Sequence, residues 1–304
     1  MSACFDAVGL GARPLLVGLT GTQGKASLNP VLADAIPAAT FAGVVAVAVT
    51  VAVERLGGRL GGLLGTMPST IVPASLGIYA QSDHVAFTEA MDLVPSGMML
   101  NVLFLLLWRV LPPRLPKASL GATLLSMTVV SLALWSVVAA LVVWLGNSWK
   151  ASGESTLGWA IVPALLMLVM GGLSTRRARP APKGTMHVSI VVLVCRGLFA
   201  ALAIGLCVWV ASLGNPLAAG VVSVFPAIFL TTMVSVWLSQ GRAVQAGAVG
   251  PMMLGSLSVA GYALWARVLM PELGAGVGAL ASWTGAVLTT TVPSWFWLRR
   301  SSTG

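Results

Sequence analysis

The stretch GLLGTMP, residues 62–68, returns in altered form as GVVSVFP, residues 220–226. In both places small residues lead to a proline in the middle of an apolar segment long enough to cross a membrane. A proline removes a backbone N–H donor and clashes with the preceding helical turn, so each copy predicts an interrupted helix. A second apolar segment follows each copy. The pair therefore predicts one helical unit that occurs twice in the chain.

The composition indicates a membrane protein. Of 304 residues, 57% are hydrophobic and 8% are charged, whereas about a quarter of the residues in ordinary soluble domains are charged. The mean hydropathy is +0.94. Because backbone in lipid must satisfy its own hydrogen bonds, we expect an all-α, polytopic transmembrane helical bundle whose main partner is the lipid bilayer. The net charge of +9 lies mostly in short loops, so we expect it to set topology and not to bind nucleic acid.

Apolar runs of about 20 residues, bounded by turn or charged residues, predict about nine spans. The predicted spans are 36–54, 60–80, 88–111, 118–146, 156–173, 187–211, 216–238, 244–266 and 273–297.

Lysine and arginine are distributed unequally between alternate loops. One side receives Arg55, Arg59, Arg109, Arg114, Lys117, Arg176, Arg177, Arg179, Lys183, Arg242, Arg299 and Arg300, and the other receives Arg13, Lys25, Lys150 and Arg267. Basic loops stay in the cytoplasm, so the amino terminus is predicted outside and the carboxyl terminus inside.

The repeat extends beyond the two proline segments. The stretch MML at 98–100 is matched by MML at 252–254, and LWRVLP at 107–112 by LWARVLMP at 264–271. Spans one to four then correspond to spans six to nine, with span five as a linker helix. Since five spans separate the two starts, the second unit enters the bilayer from the opposite face, which predicts two inverted four-helix repeats. The alternative is that apolar helices of biased composition resemble one another by chance.

This reading divides the chain into four parts. They are an amino-terminal tail at 1–35, disordered or interfacial, a first four-helix repeat at 36–146, a linker helix with a basic loop at 147–186, and a second four-helix repeat at 187–304.

The interrupted helices carry candidate substrate-binding residues. In transporters, the ends of such helices point at substrate or ion, and nearby hydroxyl groups supply ligands. The candidates at and after the two breaks are Thr66, Pro68, Ser69, Thr70, Ser223, Pro226, Thr231 and Thr232. The alternative is that these hydroxyl groups only repair the local backbone hydrogen bonding, as serine and threonine do in many transmembrane helices.

Charged residues within spans are scarce, and each is therefore a candidate site residue. Arg196 lies about nine residues into span six, roughly 14 Å from the cytoplasmic surface at the helical rise. Glu89 and Asp92 are three residues apart on one helix face, and Arg196 could reach toward Asp92. Alternatively, the two acids lie in headgroup water and Arg196 binds backbone carbonyls. Asn101 lies inside span three, where a buried amide commonly bonds across helices.

The chain lacks the patterns of the commonest hydrolases and nucleotide-binding enzymes. It has two histidines, and HExxH, GxSxG and the P-loop are all missing. Its three cysteines lie in apolar surroundings unlike a zinc site. We therefore predict neither an enzyme nor a cofactor or metal site.

The segment GVVSVFPAIF at 220–229, with the next span beginning near RAVQ at 242–245, resembles the central part of the GlpM family of small bacterial inner-membrane proteins. The first copy, from ERLGG at 54–58 to Pro73, is similar to related families with a glycine-rich, proline-centred span. The resemblance implies a four-helix unit, here present twice, in the bacterial cytoplasmic (inner) membrane. The family's activity is poorly defined and offers no catalytic residues to transfer.

Together these features favour a transporter or permease for small solutes, with alternating access between the two repeats. Arg196 gives a mild preference for an anionic or amphiphilic solute. The alternative is a non-transporting membrane scaffold or accessory subunit, since polar residues within the spans are so few. Either reading is compatible with a homodimer.

Overall fold

The computed structural model describes residues 28–56, 67–114, 119–176 and 190–301, which fold as helices without a β-strand. In chain order the α-helices are α1 (Leu28–Leu56), α2 (Ile71–Gln81), α3 (His84–Val110), α4 (Leu120–Ala151), α5 (Gly158–Arg176), α6 (Ile190–Ser212), α7 (Pro216–Val222), α8 (Ala227–Gln240), α9 (Arg242–Gly255), α10 (Leu257–Leu273), α11 (Ala275–Ala286) and α12 (Val292–Ser301). A 3₁₀ turn, Pro112–Arg114, follows α3, and a π-helical segment, Val287–Thr291, joins α11 to α12.

Among the described residues, seven helical segments are long and apolar enough to cross a membrane. Four are the single helices α3 to α6, and three are the consecutive pairs α7–α8, α9–α10 and α11–α12. They match the third to ninth predicted spans and are compatible with a multi-pass membrane protein. The first predicted span falls on α1, whose apolar part, Ala35–Ala48, is shorter. The second falls partly on residues 57–66, outside the described residues. Helix α1 also begins at Leu28, so the end of the predicted tail is helical.

Helix α3 is the centre of the bundle. In its most apolar stretch 78% of the residues are buried, against 22% in α4 and 28% in α5. Large side chains along α3, among them Phe87, Met91 and Trp108, are fully enclosed. Helices α5, α7 and α10 pack against it. The exposed apolar faces of α4 and α5 suit contact with lipid.

The same kind of backbone hydrogen bond occurs at each of the two proline breaks. Ser69 N–H donates to the Met67 carbonyl across Pro68, and Ala227 N–H donates to the Phe225 carbonyl across a proline, both at 2.8 Å. In the second copy the break separates α7 from α8, as the sequence predicts. In the first copy the same turn precedes α2, which begins at Ile71.

Helices α1 and α6 pack antiparallel along a seam of small residues. A Cβ built on Gly43 would lie 3.1 Å from the Gly197 carbonyl oxygen, and one on Gly205 would lie 3.6 Å from the Cβ of Ala39. The residue numbers of the contacting positions therefore increase along α1 as they decrease along α6. Such a seam allows close backbone approach between membrane helices.

Charged side chains make contacts between helices at both ends of the bundle. At one end Lys150, late in α4, contacts Glu89, early in α3. At the other end Arg109, late in α3, donates a 2.8 Å hydrogen bond to Ser174, late in α5. Therefore α4 runs antiparallel to α3, whereas α5 runs parallel to it.

Candidate functional site

An open cleft of about 420 Å³ lies where the start of α3 meets the ends of α4 and α10. Its lining carries most of the charged groups at that end of the bundle. The lining residues are His84, Val85, Thr88, Glu89, Asp92, Lys150, Glu154, Ser155, Thr156 and Arg267.

Asp92 forms the deepest charged group of the cleft and is only 1% exposed. It lies eight residues after His84, the first residue of α3, or about 12 Å along the helix. Arg267 Nε lies 2.7 Å from Asp92 Oδ1, and Arg267 Nη2 donates to Oδ2 at 3.4 Å. Thr156 adds a 2.7 Å hydrogen bond to Oδ2. This buried ion pair joins α3 to α10, which belong to different predicted repeats.

Glu89 occupies the same face of α3 one turn nearer the helix start, because residues three apart are neighbours on a helix. Its Oε2 lies 2.6 Å from Lys150 Nζ. Asp83 sets where α3 begins, since its carboxylate accepts a 2.8 Å hydrogen bond from Ala86 N–H as the helix N-cap. The predicted pairing of Glu89 and Asp92 on one face therefore brings both candidates into the cleft.

Arg196 lies apart from the cleft. Its Nη2 donates to Thr232 Oγ1 at 2.8 Å and its Nε to Thr231 Oγ1 at 3.4 Å, which ties α6 to α8. The expected pair between Arg196 and Asp92 is therefore wrong: the carboxylate is taken by Arg267. The physical reason is that α10 runs alongside α3 and brings Arg267 to the depth of the carboxylate.

Asn101 bridges α3 to the second proline break. Its Nδ2 donates a 2.7 Å hydrogen bond to the Val224 carbonyl, which the break releases from helical bonding. Its Oδ1 accepts a 2.9 Å bond from Trp135 Nε1, and the Trp135 ring packs edge-on against Phe225. Pro226 itself is buried. This break is therefore filled by protein groups.

Within the part of the chain that the structure describes, the side chain of Ser223 bonds only within its own turn. Its hydroxyl donates at 2.7 Å to the Gly220 carbonyl, three residues earlier. This is the local backbone repair that the sequence left open as the alternative to ligand binding.

The described residues include the first break from Met67 onward. Pro68 is buried, and Ser69 and Thr70 are half-buried. Thr70 precedes α2 without a side-chain hydrogen bond to its first turn. Thr66 lies outside the described residues. The structure thus places the described candidates at the cleft, at the Arg196 contact and at the two breaks.

Sequence reasoning missed Arg267, Lys150 and Thr156. The predicted eighth span ends at 266 and places Arg267 in a loop, whereas α10 continues to Leu273. The helix passes through Pro271 and ends before Gly274, whose φ of 79° favours glycine. A search for basic residues about two turns before a late glycine stop would have found Arg267.

Among the described residues, no group of three or more His, Cys, Asp or Glu side chains is placed to hold a metal ion. No family model, curated protein or solved structure matches the chain. The resemblance to the GlpM family therefore stays a prediction.

Proposed function

We propose that this protein is a membrane transporter for small solutes that works by alternating access between two inverted four-helix repeats. The observation that carries the proposal is the Asp92–Arg267 ion pair at the floor of the cleft. Buried charges are costly within a membrane and usually mark a solute or ion pathway. Here the pair also joins helices of the two proposed repeats.

Two kinds of contact support the repeats. Helices α1 and α6 occupy corresponding places in the two units and pack antiparallel, as inverted copies would. The turns across Pro68 and Pro226 have the same backbone hydrogen bond. The sequence identity between the two proposed units is low, but the same hydrogen-bonding pattern occurs at both helix breaks.

In the proposed topology the cleft opens on the outer side of the cytoplasmic membrane. Lys150 and Arg267 both lie toward the side that the sequence predicts to be poor in lysine and arginine, and both line the cleft. The Asp92–Arg267 pair would then close the path inward from the cleft. Rocking of α3 against α10 would separate the pair and expose the interior to the other side.

The preference for an anionic or amphiphilic solute rests on Arg196. Because Arg196 does not line the cleft and is bonded to Thr231 and Thr232, its role in transport would be to couple α6 to α8.

A non-transporting scaffold is the second candidate, and the second proline break favours it. Asn101 and Trp135 fill the space around Val224 and Phe225. Broken helices of transporters usually face a solute or water-filled cavity. A break packed by protein groups is what a rigid scaffold needs.

Solute release from proteoliposomes separates the two candidates. Vesicles loaded with a mixture of small metabolites are sampled over time by mass spectrometry, beside protein-free vesicles. A transporter releases a defined subset of the mixture faster than the protein-free vesicles do. Release profiles that coincide for every solute would leave the scaffold as the function.

Arg196→Ala tests the coupling of α6 to α8. We expect the variant to fold but to lose solute movement, because the links to Thr231 and Thr232 are removed. Arg242→Ala is the matched control, since Arg242 is exposed at the start of α9. Unchanged transport in Arg196→Ala would remove Arg196 from the mechanism.

A further inference from the structure

The end of the bundle opposite the cleft is rich in arginine. Every carboxylate side chain that the structure describes lies toward the cleft end, on Asp83, Glu89, Asp92, Glu154 and Glu272. The opposite end carries Arg109, Arg114, Arg176, Arg242, Arg299 and Arg300. In the predicted topology this is the cytoplasmic end, which meets a leaflet of negative surface potential.

Arg176 and Trp297 contact each other where α5 and α12 end side by side. The Arg176 guanidinium lies over the Trp297 ring, 4.7 Å from the ring centre. Trp297 Nε1 donates a 2.9 Å hydrogen bond to Thr175 Oγ1, and Thr175 is buried. A Cβ built on Gly172 would lie 3.8 Å from the same ring. Helix α5 therefore fixes the ring on which its own terminal arginine rests.

This contact leaves donors for a ligand. A guanidinium carries five N–H groups, and an aromatic face attracts its charge without supplying an acceptor for each of them. Two parallel N–H groups match two oxygens of a phosphate. Arg300 follows Trp297 by three residues, so it lies on the same face of α12, and it is exposed. One arginine from each helix thus accompanies the Trp297 ring.

An apolar strip leads from Arg176 into the membrane-spanning part of α5. Leu173 and Val169 lie three and seven residues before Arg176, so the three side chains share one helix face. Leu173 is 50% exposed and Val169 is 57% exposed. A ligand with its phosphate at Arg176 could lay an acyl chain along this strip. Tryptophan at the same level is typical of the membrane–water interface.

We propose that Arg176, Trp297 and Arg300 bind the phosphate group of an anionic phospholipid in the cytoplasmic leaflet. Helices α5 and α12 both present their carboxyl ends here, and the partial negative charge of those ends repels a phosphate. The attraction therefore comes from the arginines. A zwitterionic lipid brings its own ammonium group and gains less from them. The site does not rest on transport, since it suits a transporter and a scaffold alike.

Three probes separate a lipid site from a site for any phosphate. Dioleoyl phosphatidylglycerol is anionic, dioleoyl phosphatidylethanolamine has the same chains with a zwitterionic headgroup, and glycerophosphoglycerol is the anionic headgroup without chains. Each is titrated into the purified full-length protein in uncharged maltoside micelles at constant ionic strength. The midpoint of thermal unfolding is recorded, because a ligand of the folded state raises it.

We expect only phosphatidylglycerol to raise the midpoint in a saturable way. Arg176→Gln should increase the half-saturating amount of this lipid by about 5-fold, the size of one arginine interaction at an anionic surface. Trp297→Leu should increase it by about 3-fold, because the guanidinium loses the ring beneath it. Arg114→Gln is the matched control: Arg114 is exposed at the same end, and it donates to the Val110 carbonyl within its own turn.

The proposal is overturned if phosphatidylethanolamine stabilises the protein as well as phosphatidylglycerol does. It is also overturned if glycerophosphoglycerol matches the lipid, which would indicate a site for soluble phosphate, or if Arg114→Gln weakens lipid binding as much as Arg176→Gln. Should Arg176→Gln fail to fold, Trp297→Leu takes its place in the comparison with Arg114→Gln. Solute release from proteoliposomes bears on transport alone, so either result can fail without the other.

Discussion

Gly220 lies where half-helix α7 crosses α3, and replacing it with alanine tests the packing of the second proline segment. A Cβ built on Gly220 would lie 2.0 Å from the Ala90 carbonyl oxygen, 2.9 Å from its carbonyl carbon and 3.2 Å from its Cα. All three atoms are backbone, so no side-chain rotation can relieve the overlap. The two helices must move apart.

The required movement can be worked from these distances. Ordinary contact begins at 3.4 Å, so the oxygen must retreat from 2.0 to 3.4 Å, by about 1.4 Å. That shift would also loosen Val224 from Gly97, where a Cβ would meet the valine at 2.5 Å. Inserting one methyl group into a packed interior costs about 1–3 kcal/mol. Because the obstacle is backbone, we expect about 3 kcal/mol, or a fall of roughly 6 °C or more in the unfolding midpoint.

The thiol of Cys207 offers a local assay. Cys207 is fully buried and its Sγ lies 3.4 Å from the Ala219 carbonyl oxygen, beside the substituted position. In a background with Cys4→Ser and Cys195→Ser it is the sole thiol, and a thiol-reactive fluorophore reports its exposure during heating. Gly121→Ala is the control, because a Cβ there meets nothing within 4 Å. Its midpoint should stay the same or rise slightly, since alanine favours helix over glycine.

An unfolding midpoint for Gly220→Ala within a degree of the Gly121→Ala value would refute the reasoning. It would mean that α7 does not lie against the Ala90 backbone. The repeat hypothesis extends the prediction to Gly62, the sequence counterpart of Gly220. A large effect at Gly220 with none at Gly62 would count against two equivalent units.

Two further substitutions test the buried polar contacts by thermal unfolding. Asp92→Asn should destabilise the protein by about 3 kcal/mol, which is near the lower end for a broken buried ion pair because Arg267 is 20% exposed. The double variant Asp92→Asn/Arg267→Gln should recover at least ~1 kcal/mol of this loss. Strictly additive losses in the two single variants would contradict a coupled pair. Asn101→Ala should cost about 1–3 kcal/mol, because it leaves the buried Val224 carbonyl and Trp135 N–H without partners, and a midpoint equal to wild type would show that neither bond stabilises the fold.

Much of the helical layout could be predicted from the sequence. Apolar runs and charged boundaries located the third to ninth spans, because a membrane helix needs a long apolar stretch whatever its neighbours are. The proline in GVVSVFP located the break between α7 and α8, because proline disrupts a helix locally. The spacing of Glu89 and Asp92 placed both on one face of α3, which needs only the helical period.

The partners of those residues could not be predicted in the same way. Arg267 lies 175 residues from Asp92 along the chain, and Lys150 lies 61 residues from Glu89. Which base meets which acid depends on the helix that packs beside α3 and on its vertical position. Arg196, which the sequence analysis considered as a partner for Asp92, instead donates to the hydroxyl groups of Thr231 and Thr232.

The amino-acid sequence by itself determined that this protein is helical, that its helices are long and apolar, and that one span is interrupted at Pro226, since each of these depends on properties of neighbouring residues. Only the tertiary structure decided that three separate segments meet in one charged cleft, that Asp92 pairs with Arg267 and that Asn101 fills the second break. The physical reason is that an ion pair or hydrogen bond requires atoms within about 3 Å, and long helices can be stacked in many registers before packing selects one.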